Sequence, residues 1–319
     1  MSAAQRGLGR GAPVAIHHGD NLEVISEMPD GAFTMIYLDP PFNTGRKRQH
    51  TTQRVTHAPD AVHIDKLPPA EGDALFDEQF LNATENPVWA GFHGRKYERI
   101  RQTLTTFDDR FDNYWEFMEP RLAEAWRLLA DDGTLYLHLD YREAHYAKVM
   151  LDAVFGRDNF LNEIIWAYDY GAKSRSRWPT KHDTILVYVK NPSAYFFDSD
   201  AVDREPYMAP GLVTPEKRER GKLPTDVWWH TIVSPTGKEK TGYPTQKPEG
   251  VLRRIVQASS REGDWVLDFF AGSGTTGAVA RALGRRFVLV DDNPVAVDVM
   301  RRRLPGASFD VEPPAVSAV

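Results

Sequence analysis

Two short runs of residues have the types and spacing to do chemistry. The first is Asp39-Pro40-Pro41-Phe42. An exocyclic amine on a heteroaromatic ring is a poor nucleophile, because its lone pair is delocalised into the ring. A carboxylate and a carbonyl that accept its two N–H bonds push the nitrogen toward sp3 and raise its reactivity. Asp39 can supply one acceptor and the Pro40 carbonyl the other. Pro40 and Pro41 have no backbone donors and fix the turn, and Phe42 offers a ring on which an extruded base could stack. The plainer reading is a rigid strand-to-loop turn, for which Asp-Pro-Pro is well suited. That reading weakens because the tetrapeptide ends the unbroken apolar run of residues 33–38, the pattern of a buried parallel strand. Ligands bind at the open ends of such strands.

The second run is Val266-Leu267-Asp268-Phe269-Phe270-Ala271-Gly272-Ser273-Gly274-Thr275-Thr276-Gly277. It reads as strand, tight glycine turn and helix, with glycines where the backbone must approach a ligand closely. Asp291 ends the next strand, where an acid commonly takes the ribose hydroxyls of a nucleoside. Gly272-x-Gly274-x-x-Gly277 matches the dinucleotide fingerprint, whereas a nucleoside-triphosphate loop would need a Gly-Lys-Ser/Thr that is absent. S-adenosylmethionine has no phosphate but carries an ammonium group, which suits Asp268 better than a pyrophosphate does. On these residues alone S-adenosylmethionine is favoured, and a dinucleotide or a purely structural turn stays open.

The elements that must position these runs alternate along the chain. Strands are expected at residues 14–17, 33–38, 134–139, 164–168, 184–189, 265–269 and 287–290. Helices are expected at 20–28, 112–129, 142–155, 248–259, 275–283 and 295–304. Alternation of this kind predicts an α/β fold with a mostly parallel, doubly wound sheet, here as one domain over residues 14–304. Residues 46–106 read as a polar, basic, irregular loop, and a loop of that length inside a domain is usually functional or mobile. Residues 191–240 show no periodicity and read as an insert. Residues 305–319 read as a disordered tail.

Composition narrows the function classes. The 319 residues are 41% hydrophobic and 26% charged, with no cysteine. No apolar run approaches the roughly 18 residues of a membrane span, and the N-terminus lacks the apolar stretch of a secretory signal. A chain without cysteine forms no disulfides or thiolate metal sites and fits a reducing cytoplasm. It also cannot attack ring carbon 5 of cytosine through a thiolate. His17, His18, His138, His145 and His182 show no metal-ligand spacing, so no metal is expected and structural or surface roles are. Trp228 and Trp229 read as core residues. The net charge of −6 argues against a nucleic-acid partner, yet a basic strip on one face is sufficient. Arg46, Lys47, Arg48 and Arg54 form one strip, Lys173, Arg175, Arg177 and Lys181 a second, and Arg95, Lys96, Arg99 and Arg101 a third. Each is also readable as a solvated loop.

Taken together, Leu38-Asp39-Pro40-Pro41-Phe42-Asn43 and the run from Leu267 to Thr276 resemble the amino-methyltransferases of DNA. The catalytic motif precedes the cofactor motif, an order that resembles the permuted beta class. Tyr243-Pro244-Thr245-Gln246-Lys247-Pro248, Gly19-Asp20, Asp226-Val227-Trp228-Trp229 and the run from Phe160 to Trp166 also resemble family segments, so the resemblance covers roughly residues 14–304. It implies a Rossmann-like fold and base flipping followed by direct methyl transfer from S-adenosylmethionine. It implies that Asp39, Pro40, Pro41 and Phe42 hold the target base. It further implies that Asp20, Asp39, Lys247, Asp268, Phe270, Gly272, Ser273, Gly274, Thr275 and Asp291 surround the cofactor. Arg46, Lys47, Arg48, Lys173, Arg175, Arg177 and Lys181 become expected DNA contacts, with residues 46–106 closing over duplex DNA. Residues 191–240, including Glu216-Lys217-Arg218-Glu219-Arg220, become the expected target-recognition insert. A homodimer and a companion restriction endonuclease are further partners that the resemblance implies. Phe42 stands where the family more often has tyrosine, and Asp291 where it usually has glutamate. Asp39 favours N6 of adenine, because enzymes acting on N4 of cytosine often carry serine there; N4-cytosine is the alternative target. A dinucleotide-dependent oxidoreductase, which would leave the Asp39 motif unexplained, and a catalytically silent DNA binder are the readings from other classes.

Overall fold

Strand β2 (Phe33–Leu38) is buried along its whole length, because it lies inside a sheet covered on both faces. Ile36 and Leu38 face one apolar cluster, Met35 and Tyr37 the other. The computed structural model describes residues 14–41, 47–57, 88–90, 96–108, 114–171, 173–234 and 236–309. These fall into two units, one of residues 1–43, 111–171 and 180–319, the other of residues 44–110 and 172–179.

The first unit holds a nine-stranded sheet. Besides β2 it contains β1 (Val14–His18), β6 (Leu129–Leu139), β7 (Phe160–Ala167), β8 (His182–Val189), β9 (Val227–Trp229), β10 (Trp265–Asp268), β11 (Arg286–Asp291) and β12 (Ser308–Phe309), numbered along the whole chain. Their order is β12-β1-β11-β10-β2-β6-β8-β7-β9. From β12 to β6 all neighbours are parallel, β8 runs antiparallel to β6 and β7, and β9 is parallel to β7. Helices α1 (Asn21–Ser26), α2 (Tyr114–Leu128) and α3 (Ala144–Phe155) pack on the Leu38 face. Between α3 and the last three helices lies the short α4 (Pro215–Arg220). Then α5 (Glu249–Ser259), α6 (Thr275–Ala282) and α7 (Pro294–Arg303) pack on the Tyr37 face.

Sequence pattern accounts for the helices. In α2 the buried Tyr114, Met118, Leu122 and Ala125 recur every three or four residues, the stripe that one face of a helix needs. Helix α7 starts at Pro294, with Asn293 accepting from the Val295 N–H. Proline at the first position and a side-chain cap are standard helix starts. The connection after β2 runs through α2 on one face. The connection after β10 runs through α6 on the other and leads away from β2. The chain therefore diverges between β10 and β2, which opens a crevice at their C-terminal ends.

Three expectations need correction. Residues 47–57, 88–90 and 96–108 are not irregular. They form β3 (Lys47–His57), β4 (Val88–Ala90) and β5 (Lys96–Asp108), an antiparallel sheet of order β3-β5-β4 in the second unit. The β-branched residues of Thr51-Thr52-Gln53-Arg54-Val55-Thr56 and Ile100-Arg101-Gln102-Thr103-Leu104-Thr105 are the local signal for it. In the expected tail, Ser308 and Phe309 pair with Ala15 and Ile16 and extend the main sheet at its edge; residues 310–319 lie outside the described residues. Within residues 191–240, Thr214 caps α4 and β9 pairs with β7. Trp228 is buried, but Trp229 is 75% exposed, since successive strand residues point to opposite faces. Among the described residues, no helix is long and apolar enough to cross a membrane.

Gly277 marks how closely α6 approaches the sheet: a Cβ there would lie 2.6 Å from Leu289 Cδ1 and 3.1 Å from the Phe287 ring. Both neighbours are fully buried and have little room to move. Gly277→Val should therefore destabilise the protein by about 1–3 kcal/mol through overpacking, read as a lower urea midpoint with an unchanged slope.

Candidate functional site

The crevice between β10 and β2 is lined by carboxylates. Asp39 follows β2, Asp268 ends β10 and Asp291 ends the neighbouring β11. Asp268 is 2% exposed; its Oδ2 accepts from Thr276 Oγ1 at 2.6 Å and its Oδ1 from the Phe270 N–H at 3.1 Å. Burial pushes its carboxyl up to about 7. Those two hydrogen bonds pull the other way, and the charges of Asp39 and Asp291 add to the rise. Burial likewise raises Asp291 to about 6, against hydrogen bonds from the Asn293 and Gly272 N–H groups. Carboxyl groups held this close to their neutral form at physiological pH mark a site that a cation would relieve.

The glycine turn supplies the crevice floor. Gly272 and Gly274 have φ of 49° and 71°, a region that L side chains enter only at a cost. The Gly272 N–H donates to Asp291 Oδ2 at 2.7 Å, which ties the turn to the end of β11. A Cβ on Gly272 would come within 3.1 Å of the Tyr243 ring. Tyr243 thus belongs to the site, and burial raises its hydroxyl well above the usual range.

Lys247 joins the two motifs. Its ammonium is ion-paired with Asp39 Oδ2, and its carbonyl accepts from Thr275 Oγ1 at 3.1 Å. The other oxygen of Asp39, Oδ1, is buried and has no hydrogen-bond partner among the described residues. A buried carboxylate oxygen without a donor is costly, and a bound N–H would satisfy it.

Of the expected site residues, Asp39, Lys247, Asp268, Gly272, Thr275 and Asp291 are joined by these contacts. Pro40 is buried beside Asp39, and Pro41 is half-buried. The Phe270 ring packs tilted against that of Phe117, with centroids 6.1 Å apart. Ser273 and Thr275 are buried, and their hydroxyls lie 3.4 and 2.9 Å from the Arg303 guanidinium. They brace the turn. Asp20 is the N-cap of α1, accepting from the Leu22 and Glu23 N–H groups, and its second oxygen pairs with Arg121 at 2.9 Å. Asp20 is tied to the end of β10 through the Arg121 to Asn21 bond and the Asn21 bond to the Phe269 carbonyl, and the Gly19 N–H before it donates to the Asp291 carbonyl at 3.3 Å. Asp292, the other candidate for the Asp291 role, is exposed.

Among the expected DNA contacts, Lys173, Arg175 and Arg177 are exposed in the second unit. Lys181, in the first unit, donates to the carbonyls of Asp169 and Gly171 at 3.4 and 3.3 Å, which braces its own loop. Lys47 and Arg48 lie on β3. Phe42 and Arg46 lie outside the described residues. Among the described residues, no group of three or more His, Asp, Glu or Cys could hold a metal ion.

Sequence reasoning missed Arg121 and Arg303, and it named Tyr243 and Thr276 only as members of motif runs. Arg303 spans 2.7 Å to Glu249 Oε1 and 3.2 Å to the Ser273 carbonyl, locking the start of α5 to the glycine turn. A lone arginine at the end of a charged helix carries no local signal of such a role. Thr276 did have one: it lies two residues beyond the second glycine, on a helix that must face the strand end.

Residues 33–302 match the family described as DNA methylase. Two relatives extend the likeness. The type II methyltransferase M.HpaI of Haemophilus parainfluenzae is 34% identical over 70% of this chain and 70% of its own length. The DNA adenine methyltransferase YhdJ of Escherichia coli is 28% identical over 92% of this chain and 83% of its own. Among solved structures, the M1.HpyAVI–SAM complex shares the fold with a TM-score of 0.54 at 19% identity, covering 92% of this chain and 99% of that one. A match running from β2 to the last helix takes in both motifs and the crevice between them, and the chain belongs to the DNA methylase family.

Proposed function

We propose that the protein transfers a methyl group from S-adenosylmethionine to N6 of adenine in duplex DNA, taking the base out of the helix and transferring directly. The observation that carries this reading is Asp39, a half-buried carboxylate at the sheet's topological switch whose buried Oδ1 lacks a donor among the described residues. The target amine would supply that donor, with the Pro40 carbonyl as second acceptor and Phe42 as the stacking ring. S-adenosylmethionine, when bound, supplies a methyl group on a positive sulfonium and leaves as a neutral thioether. Asp268 and Asp291 would hold its cationic and ribose groups, Gly272 and Phe270 would line it, and Lys247 would flank it. A dinucleotide fits this crevice poorly, because its pyrophosphate would face three carboxylates. The acid at position 39 and the likeness to a DNA adenine methyltransferase favour adenine over N4 of cytosine. The exposed cations Lys173, Arg175 and Arg177 suit phosphate contacts, and residues 191–240 suit target recognition. A second copy of the chain and a companion endonuclease belong to the same proposal.

Asp39→Ala should abolish methylation while S-adenosylmethionine binding persists. Single-molecule sequencing of DNA from cells expressing each form reads this directly. N6-methyladenine in one motif, lost in the variant, is the expected result. Marks on cytosine would reassign the target, and no marks in either sample would overturn the reading.

The acid cluster also sets a pH dependence. Asp268 and Asp291 have folded values raised above the unfolded one. Without ligand, their contribution to stability is present in acid and is lost as pH rises through about 6 to 7. A cation binds their ionised forms, so S-adenosylmethionine affinity should run the other way and be roughly tenfold weaker at pH 6 than at pH 8. Calorimetry in buffers of different ionisation enthalpy should also show proton release near pH 6.5. A flat affinity profile would remove Asp268 and Asp291 from the cofactor's cationic groups.

A further inference from the structure

Three successive arginines close α7, and they do not share one environment. Arg301 and Arg302 are exposed, whereas the Arg303 side chain is 9% exposed and turns inward. Its Nη1 donates to the Ser273 carbonyl at 3.2 Å, to Ser273 Oγ at 3.4 Å and to Thr275 Oγ1 at 2.9 Å. Its Nη2 donates to Glu249 Oε1 at 2.7 Å. A guanidinium only donates, so Thr275 Oγ1 accepts from Arg303 and sends its own proton to the Lys247 carbonyl, 3.1 Å away. One cation therefore holds the glycine turn on one side. On the other it holds, directly or through Thr275, the stretch from Lys247 to Glu249.

Burying a guanidinium is costly unless its donors are satisfied, and a helix end gains from a cation left at the surface. The inward turn of Arg303 is thus explained by what it reaches. On the turn side, Arg303 holds the Ser273 carbonyl while Asp291 holds the Gly272 N–H, so neighbouring peptide groups are pinned from two directions. On the other side, the loop from Glu239 to Glu249 is bonded to itself. Gln246 Nε2 donates to the Glu239 carbonyl at 2.6 Å, and Gln246 Oε1 accepts from the Thr241 N–H and hydroxyl, each at 2.8 Å. Glu239 Oε2 accepts from the Glu249 N–H at 2.8 Å. Tyr243 and Lys247 ride on this loop, and the Lys247 ammonium pairs with Asp39. A self-bonded loop moves as one piece, so its fastening decides where that ammonium lies. Thr275 and Arg303 fasten its C-terminal end to the glycine turn.

We propose that Arg303 is a positioning residue for methyl transfer: its fork holds the cofactor turn and the Lys247-bearing loop in one register, so a single cation sets the donor and acceptor sites against each other. Direct transfer needs amine nitrogen, methyl carbon and sulfur in line, and a small misplacement of either site costs rate steeply. Arginine suits the task, since its rigid planar fork reaches acceptors on two sides, whereas an ammonium is a single point of charge. The inference rests on the reading of Asp39 as the amine acceptor and of the glycine turn as the cofactor site.

The test uses the full-length chain well below its melting temperature. Transfer of labelled methyl to unmethylated genomic DNA gives kcat, and calorimetry gives the Kd of S-adenosylmethionine. Arg303→Met should weaken cofactor binding and lower kcat at saturating cofactor, each about tenfold. Glu249→Ala cuts only the arm to α5, at a side chain 46% exposed. It should lower kcat about fivefold and leave the Kd within about twofold, and it carries the test if the Arg303 variants fail to fold. Both substitutions break the same ion pair, so the double variant should lose no more kcat than Arg303→Met alone, within about twofold. Arg303→Lys keeps the charge without the fork and should repair one of the two defects at most. Wild-type kcat in Glu249→Ala, additive losses in the double variant or full activity in Arg303→Lys would each overturn the proposal. So would a lower melting temperature with wild-type kcat and Kd in Arg303→Met, which leaves Arg303 a structural brace. If the wild-type chain transfers no methyl, the reading of the site falls and this inference with it; if it turns over and the variants match it, only the positioning role falls.

Discussion

Parallel strands about 4.8 Å apart bring whatever residues end them side by side, and here the adjacent strands β11, β10 and β2 deliver Asp291, Asp268 and Asp39 to one crevice. Three carboxylates in a buried setting repel one another and lose hydration. Much of the surrounding structure is compensation for that. The Thr276 hydroxyl and the Phe270 N–H address Asp268, the Gly272 and Asn293 N–H groups address Asp291, and Lys247 addresses Asp39. The compensation is incomplete, since burial still pushes the Asp268 carboxyl up to about 7. A site short of positive charge is matched to a ligand that carries a sulfonium and an ammonium. The sheet's connectivity therefore constrains the cofactor before any specific contact is made.

The glycine turn follows from the same constraint. For Asp291 to receive a backbone N–H from the end of β10, the chain must turn back immediately, and it does so through Gly272 and Gly274 in left-handed conformations. Gly274 adds a packing reason, because a Cβ there would lie 2.7 Å from Met300 Cγ. Gly272 instead faces the Tyr243 ring. One glycine thus serves the fold and the other the crevice, a division that a fingerprint of spaced glycines does not reveal.

The parts legible in the sequence were those with local causes. The apolar run ending at Asp39, the strand-glycine-helix run and the alternation of elements each arise within a dozen residues, and all stand in the structure. What escaped depends on pairs distant in the chain. His138 looked like a residue of structural or surface role until Asp183, 45 positions away, was placed beside it. Arg303 looked like part of a charged helix end until Glu249 and Ser273 met it. Asp20 carried a family-like position, yet its geometry is that of a helix cap whose outer oxygen holds Arg121. The antiparallel sheet of β3, β4 and β5 was hidden for a different reason. In sequence these strands show no regular alternation of apolar and polar residues, and only β-branched content was there to be read.

The permuted order of the motifs has a physical consequence. The carboxylate that would activate the amine and the turn that would hold the cofactor lie at opposite ends of the chain, yet β2 and β10 are neighbours. Lys247, just before α5, touches both: its side chain pairs with Asp39 and its carbonyl with Thr275. A cationic ligand entering the crevice competes with that ammonium for Asp39. Binding of the methyl donor and readiness of the methyl acceptor site are therefore electrostatically linked through one residue. A positive ligand beside Asp39 lowers the demand on Lys247. An apolar residue at position 247 would leave Asp39 without its ion-pair partner, next to the charge of Asp268. The lysine thus holds Asp39 with the chain's own charge at the edge of a crevice suited to a ligand's.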